Sequence, residues 1–441
     1  MIEVIKNSWA LLIGMLLLML GNGLQGTLLG VRGGIESIDS ATLGYVMSAY
    51  FVGFLAGSQI TPILLQRVGH VRVFAAFGSL VSAAFILYAA FVHPVAWMAL
   101  RLVVGLCFSG LYVVAESWMN DSATNETRGQ ALSLYTIVQM LGMILGQLLL
   151  NVADPAGYNL FILLTVLVSI SFAPILLSSS PAPMHQTTAR MSVLELIKTS
   201  PLASIGMFLL GGIYSILYAM APVFAVSKGL SVANVSVYVT MIFVGGMAFQ
   251  YPIGWVSDRM DRRHLIIGLT AIGCFAAIFG SFFGDNFRIL LFTGLVLGGA
   301  STPLYPLLVA YANDYLEVEK MPAASGGLMF LNGSGAMGGP IIAGFLMTRY
   351  GNHWFYITIA ILMLAVCVYG IYRMTQRDTG DIEDQAPMMP ISARTTAVMT
   401  DVATDIVIEQ AEDDALDAAE EAEELYEVRT DFGDEENDAV E

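Results

Sequence analysis

Charge is so sparse along this 441-residue chain that the sequence reads as long apolar windows set apart by brief charged punctuation. Eleven windows contain no Asp, Glu, Lys or Arg: 7–31, 40–66, 73–100, 129–153, 155–189, 199–227, 229–257, 264–284, 289–313, 321–348 and 350–372. Each holds at least 21 residues, and about 20 residues of helix cross the hydrocarbon core of a bilayer. The period-2 alternation of barrel strands is missing, and in lipid only helices and closed barrels satisfy every backbone group internally. The pattern predicts an all-α membrane protein with many spans. The first window, after Lys6, exceeds the roughly 7–15 residues of a signal-peptide core and lacks a small-residue cleavage pattern, so a retained helix is expected.

One stretch resists a simple count. "RLVVGLCFSGLYVVAESWMND", Arg101 to Asp121, leaves only fourteen uncharged residues between Arg101 and Glu116. Left outside the bilayer, it gives eleven helices, with about six Lys and Arg inside and eleven outside. That opposes the bias of basic residues towards the cytoplasm. Taken as a span over roughly 95–118, it gives twelve helices. Twelve basic residues then fall inside: Lys6, Arg67, Arg72, Arg128, Arg190, Lys198, Arg259, Arg262, Arg263, Lys320, Arg373 and Arg377. Four fall outside: Arg32, Lys228, Arg288 and Arg349. Twelve transmembrane helices with both termini cytoplasmic are therefore predicted. Arg101 then lies within the membrane, in the outer half of the fourth helix.

The chain also repeats itself. "FVGFLAGSQITPILLQRVG" from Phe51 aligns with "FVGGMAFQYPIGWVSDRMD" from Phe243 at an offset of 192. At 193, Gly105 meets Gly298, and Asn120-Asp121 meets Asn313-Asp314. Six helices separate the copies, which predicts two pseudo-symmetric six-helix halves, 1–178 and 201–377. The polar "SSSPAPMHQTTAR" at 178–190 marks a cytoplasmic linker over 179–200 between them. Such repeats place a central site between halves that rock against each other.

Composition adds a fourth segment. The chain is 56% hydrophobic and 12% charged, which excludes an ordinary soluble domain. Its net charge of −17 is misleading as a whole, because residues 375–441 hold 22 acidic and 3 basic residues. The rest, with 14 acidic and 16 basic, is nearly neutral. Residues 378–441 are expected to be an acidic, disordered or transiently helical cytoplasmic tail, dispensable for transport. A weak partner would bind the side bearing Ile408, Ala411, Leu416 and Leu425. Cys107, Cys274 and Cys367 lie in apolar windows and read as packing residues.

Twelve helices in two halves, with the following junction motifs, resemble the major facilitator superfamily. "GWVSDRMDRR" matches its loop signature at Gly254, Asp258, Arg259, Arg262 and Arg263, with Asp261 where a glycine is usual. The first-half copy keeps Arg67, Gly69 and Arg72, but Gln66 replaces the aspartate. The fourth helix carries Arg101 and Gly105 of an Arg-x-x-x-Gly signature. The eleventh carries Gly335, Gly339, Pro340 and Gly344 in "GAMGGPIIAG". The fifth has Gly142 and Gly146 followed by Gln147 rather than proline. "VVAESWMN" and "RGQALSLY" are similar to the uncharacterised bacterial YcaD-like permease branch. The resemblance covers residues 1 to about 377 and implies the major facilitator fold and alternating access, without a substrate.

Helices 1, 4 and 5 border the central cavity in that family. Counting 1.5 Å per residue, Arg101 lies roughly 9 Å outward of mid-membrane and Asn22 and Gln25 about 6 to 10 Å outward, with Gln147 level. Asn22, Gln25, Arg101 and Gln147 would form one net-positive site for a substrate carrying a carboxylate or phosphate. The other reading has Arg101 reaching the outer headgroups or tying helix ends together. A second set, Tyr112, Gln139, Tyr214, Tyr218, Gln250, Tyr305 and Asn332, lies nearer mid-membrane. It suits a moderately polar organic solute or, residue by residue, plain interhelical hydrogen bonding.

Glu116 is the one acid embedded in a helix. It either carries a coupling proton or pairs with Arg67, Arg72 or Arg128, and the converging basic loops favour the pair. By family analogy Asp258 is expected to lock the inner gate against Arg128 at the start of helix 5. Asp314 would hold Arg259 or Arg262, and Asp121 would hold Arg128. Gly335, Gly339 and Pro340 mark close or flexing helix packing. The five histidines, His70, His93, His185, His264 and His353, are scattered, and no nucleophile triad, paired catalytic carboxylates or phosphate loop stands out.

No enzyme activity, cofactor, metal or nucleic-acid partner is expected. The reading is a secondary active transporter of the bacterial inner membrane, moving a small organic solute by alternating access, with proton coupling open. Its partners are that substrate, anionic if Arg101 binds it, and membrane lipid. The rival reading is a transporter-like sensor or scaffold signalling through the acidic tail.

Overall fold

A computed structural model describes residues 2–121, 127–176, 192–316 and 320–376, together with Met388, Thr396, Val402, Ala403 and Ile406. The described residues form helices joined by short turns, without a strand. The first half comprises α1 (Ile2–Ile35), α2 (Ser40–Val68), α3 (His70–Ala90), α4 (Pro94–Asp121), α5 (Arg128–Leu149) and α6 (Asn159–Leu176). Residues 179–191 of the expected linker lie outside the described residues, and its end is a short helix, α7 (Val193–Thr199). The seventh span is α8 (Pro201–Ser215), a π-helical turn (Ile216–Met220) and α9 (Ala221–Ser227). After α10 (Val232–Ser257) and α11 (Arg262–Phe283), the tenth span is again two pieces, α12 (Phe287–Ser301) and α13 (Leu304–Asn313). α14 (Met321–Tyr350) and α15 (Trp354–Met374) complete twelve. Eleven of these segments are long and apolar enough to cross a membrane, and α6 is the shorter twelfth. Arg101 sits inside the 28-residue α4, so the puzzling fourth stretch is a full span.

Local chemistry sets the helix ends. Asp39 accepts from the Thr42 N–H (3.0 Å) at the start of α2, and Ser231 from the Asn234 N–H (3.3 Å) at the start of α10. Asp261, the departure from the loop signature, accepts from the Arg263 N–H (2.9 Å) and caps α11. Gly69 and Gly351 close α2 and α14 at φ 82° and 104°, backbone that a side chain would strain.

The repeat reappears as packing. Helix α2 lies against α4 as α10 lies against α12, and α1 against α5 as α8 against α14. The aligned glycines are the contact points: a Cβ on Gly53 would collide with Leu102 O and one on Gly105 with Tyr50 O. In the second half, a Cβ on Gly245 would strike Leu295 O and one on Gly298 would strike Ile242 O. Without a hydrophobic force between helices in lipid, such close backbone approach is what holds them. Gly335 and Gly339 bring α14 against Phe208, Gly212 and Ser215 of α8, while Gly344 and Pro340 meet Ser40 and Gly44 of α2. α14 is thereby wedged between the halves.

Helix ends fall on two faces. One carries Arg67, Arg72, Arg128, Arg259, Arg262, Arg263 and Arg373, and is called here the basic face. Towards the opposite face the halves join. Ala41 N–H donates to Thr348 Oγ1 (2.9 Å), Asn151 Nδ2 to Ser236 Oγ (3.1 Å), and Ser236 Oγ to Gln147 O (2.6 Å). Among the described residues, every hydrogen bond between helices of the two halves lies in that part of the molecule, the deepest being Ser48 Oγ to Met337 O (2.5 Å). The described tail residues Met388, Thr396, Val402, Ala403 and Ile406 are buried against the body.

Candidate functional site

Between the halves lies a cavity of about 170 Å³. The first half contributes Asn22, Gln25 and Thr27 of α1, Tyr50, Phe51 and Phe54 of α2, Arg101 of α4, and Gln139, Met143 and Gln147 of α5. The second contributes Tyr214, Tyr218, Phe243, Thr302, Met329 and Asn332. Eight of the eleven binding residues expected from the sequence thus meet in one chamber: Asn22, Gln25, Arg101, Gln139, Gln147, Tyr214, Tyr218 and Asn332.

The other three lie behind its wall or away from it. Tyr112 is fully buried and receives a hydrogen bond from Asn22 Nδ2 (2.9 Å), so it orients a lining residue. Tyr305 and Gln250 are buried outside the lining. Depth along a helix axis was legible in sequence, whereas the rotation of each side chain was set by neighbouring helices.

Arg101 is 3% exposed. Its Nη1 donates to Gln25 Oε1 (3.0 Å), its Nη2 to Met47 Sδ (3.1 Å), and its guanidinium carbon lies 5.0 Å from the centre of the Tyr50 ring. Its Nε has no hydrogen-bond partner, nor has Gln25 Nε2. Among the described residues no carboxylate forms an ion pair with it. An arginine carries five N–H donors. Here two are engaged, one of them by a thioether, which is a weak acceptor. Burying a charge without a counter-ion costs several kcal/mol, roughly, which the Tyr50 face offsets only in part. Among the described residues the chamber therefore holds a positive charge without a counter-charge, with donors to spare.

Gln147 stands one repeat from Pro340, at the offset of 193. It clips α5 to α1: Nε2 donates to Gly23 O (2.9 Å) and Oε1 accepts from Thr27 Oγ1 (2.5 Å). In the second half, the broken tenth span reaches the chamber at Thr302. Pro306 has no N–H, so Thr302 O lacks its helical donor. The Tyr214 hydroxyl supplies one, reaching Thr302 O at 2.8 Å and Ser301 O at 3.2 Å, and Tyr218 Oη lies 2.8 Å from Thr302 Oγ1. In a membrane such re-satisfaction is what permits a break. Tyr214 and Tyr218 thus hold the wall as well as lining it, and Asn332 Nδ2 donates to Met207 O (3.2 Å) across to α8.

Reading by depth missed the apolar lining. Phe51 and Phe243, the first residues of the two aligned repeats, both face the chamber, one from each half. That alignment was the signal that points to them. Phe54, Met143 and Met329 carry no polar mark that depth placement could use, whereas the Tyr50 hydroxyl is such a mark.

At the basic face, Asp314 pairs with Arg262, which is almost wholly buried and also donates to Ala310 O (3.3 Å) and Ser257 Oγ (3.4 Å). Burial raises the Asp314 carboxyl above its ordinary range, and the Arg262 guanidinium draws it partly back. Arg259 lies exposed over the Trp255 ring, its guanidinium carbon 4.2 Å from the centroid. Arg128 begins α5, and the side chain of Asp121 lies outside the described residues.

Two expected pairings are replaced. Glu116 is fully buried and forms no ion pair with Arg67, Arg72 or Arg128. It accepts from Tyr135 Oη (3.2 Å) and from the Thr396 N–H (2.9 Å) and hydroxyl. Arg67 and Arg72 are exposed at the α2–α3 turn, whereas Glu116 is wholly buried. Asp258 accepts from the Met388 N–H (2.8 Å) and forms no ion pair with Arg128.

The Major Facilitator Superfamily model matches residues 11–249 and 204–402 of the chain. An uncharacterised MFS-type transporter, YcaD of Escherichia fergusonii, is 27% identical over 353 residues, which is 79% of this chain and 91% of the relative. Among solved structures, the nucleoside transporter NupG superposes with a TM-score of 0.74 at 15% identity, covering 83% of this chain and all of that one. A bacterial homologue of the human lysosomal transporter Spinster, inward-facing and unoccupied, gives 0.64 at 13% identity, covering 91% of this chain and 98% of that one. At these identities the structural likeness shows the fold.

Proposed function

This chain belongs to the Major Facilitator Superfamily and is an integral membrane transporter; from that premise we propose that it carries a small organic anion with an apolar or aromatic body by alternating access. The observation that carries this reading is Arg101, a buried guanidinium without an acidic partner among the described residues and with unspent donors, facing a chamber built by both halves. A carboxylate or phosphate would complete its fork by parallel, charge-assisted hydrogen bonds. Gln25 Nε2 supplies a further donor beside it. Tyr50, Phe51, Phe54, Tyr218 and Phe243 line the remaining wall and suit a flat apolar body.

The basic face is the cytoplasmic one, by the tendency of basic loops to remain inside. Both termini are then cytoplasmic, in a bacterial inner membrane. A coupling proton has its best carrier in Glu116, whose expected guanidinium partners lie elsewhere. The neutralised form of a buried carboxyl is the cheaper one to hold when its hydrogen-bond donors leave. The test is a binding screen of purified protein in lipid nanodiscs against small carboxylates, phosphate esters and neutral solutes. An anion that stabilises the protein is expected, with the effect weakened in Arg101→Lys and absent in Arg101→Ala. Neutral ligands that bind the wild type and Arg101→Ala equally would exclude the anionic reading.

A further inference from the structure

Beyond residue 377 the chain is strongly acidic, yet unevenly so. Sixteen of its acids fall in 409–441, while 386–400, "APMMPISARTTAVMT", has none. The described tail residues lie in and just beyond that acid-free stretch, and all five are buried, none more than 8% exposed. Their contacts reach both halves. The Met388 N–H donates to Asp258, at the C-terminal end of α10 in the second half, and the Met388 methyl lies beside Gly254. Thr396 gives both its N–H and its hydroxyl to Glu116, in the first half. Glu116 lies five residues inside the end of α4, about 7 Å in by helix rise, so Thr396 reaches well into the molecule. Val402, Ala403 and Ile406 have helical backbone, at spacings that share one helix face, and they join the same apolar core as the body.

We propose that the mouth between the halves on the basic face is a docking site for the chain's own tail, whose apolar stretch seats there as a plug over the route to the chamber. Asp258 and Glu116 are its two polar anchors, one in each half. The halves already meet near the opposite face, so the docked tail covers the remaining approach. With Met388 held at Asp258, closing the basic face requires the tail to leave. A buried carboxylate keeps its hydrogen bonds or changes its protonation, which ties docking to Glu116. Because the segment is tethered, it competes at high effective concentration with any solute approaching from that side.

The test reads access to the chamber and needs no knowledge of the substrate, so its failure is separate from failure of the anion reading. In full-length protein in detergent, with Cys107, Cys274 and Cys367 replaced by alanine, Met329→Cys places one thiol in the chamber wall. Its rate of reaction with a charged maleimide is measured. Val402→Asp with Ile406→Asp should raise the rate about tenfold or more, the low end of what burying a side chain the size of Ile406 is worth. Ile406→Val should label like the parent. Thr396→Val, which keeps the backbone donor, should give a smaller rise. A synthetic peptide of residues 386–408, in excess, should slow labelling of the double variant. Unchanged labelling in the double variant and in Thr396→Val, with monodisperse protein and unaltered thermal unfolding, overturns the plug. Should the double variant aggregate, Thr396→Val decides it, alone and with the peptide added to slow its labelling, and no effect of either has the same meaning.

Discussion

Replacing Arg101 by methionine separates the two roles open to an arginine inside a membrane. As a helix tie, its worth is what it now touches: the charged hydrogen bond to Gln25 at about 1.5–3 kcal/mol, the Met47 contact at about 1 kcal/mol or less, and the Tyr50 face at about 2 kcal/mol when desolvated. Against that roughly 4–6 kcal/mol stands a desolvation cost of several kcal/mol for a buried cation with no ion-pair partner among the described residues. Methionine fills a similar volume with adaptable rotamers and carries no charge. The ligand-free Arg101→Met protein should therefore unfold within about 2 kcal/mol of wild type, in either direction. Binding should behave otherwise. Two charge-assisted hydrogen bonds to an anion, at about 1.5–3 kcal/mol each, amount to roughly 3–6 kcal/mol, or about 10²- to 10⁴-fold in affinity. The assay is thermal unfolding in nanodiscs, alone and with the anion found by screening. A large loss of ligand-free stability with an unchanged ligand-induced shift would falsify the anchor and leave Arg101 a structural tie.

Further outcomes follow from packing and buried polar groups. Tyr214→Phe leaves Thr302 O without its donor beside Pro306 and should cost about 1–3 kcal/mol, read as a lower unfolding temperature. Gly298→Ala drives a methyl into Ile242 O, and Gly105→Ala one into Tyr50 O, so each should destabilise by about 1–3 kcal/mol, whereas Gly268→Ala, with open space around it, should not. Asp314→Asn removes the carboxylate that pairs with the buried Arg262 and should cost about 3–5 kcal/mol, checked by unfolding and by abundance in the membrane.

Sequence alone determined this protein's class, its spans and its symmetry, because those depend on quantities summed along the chain. The length of charge-free windows is set by bilayer thickness, and the partition of Lys and Arg decided that Arg101 lies within a helix. The repeat was legible because Gly53, Gly105, Gly245 and Gly298 sit where two backbones touch, a position that tolerates no side chain. Polar residues could be ranked by depth, since helix rise is constant.

Tertiary structure decided what depends on rotation about a helix axis and on partners far along the chain. It turned Gln147 towards Gly23 and Thr27, set Tyr112 behind Asn22, kept Tyr305 and Gln250 out of the chamber, and brought Phe51 and Phe243 into it. It also gave Glu116 and Asp258 to Thr396 and Met388 rather than to the expected Arg67, Arg72 and Arg128. No local pattern marks such a pairing, because a hydrogen bond across 280 residues is chosen by which buried donor reaches the carboxylate first, and that is a property of the packed halves.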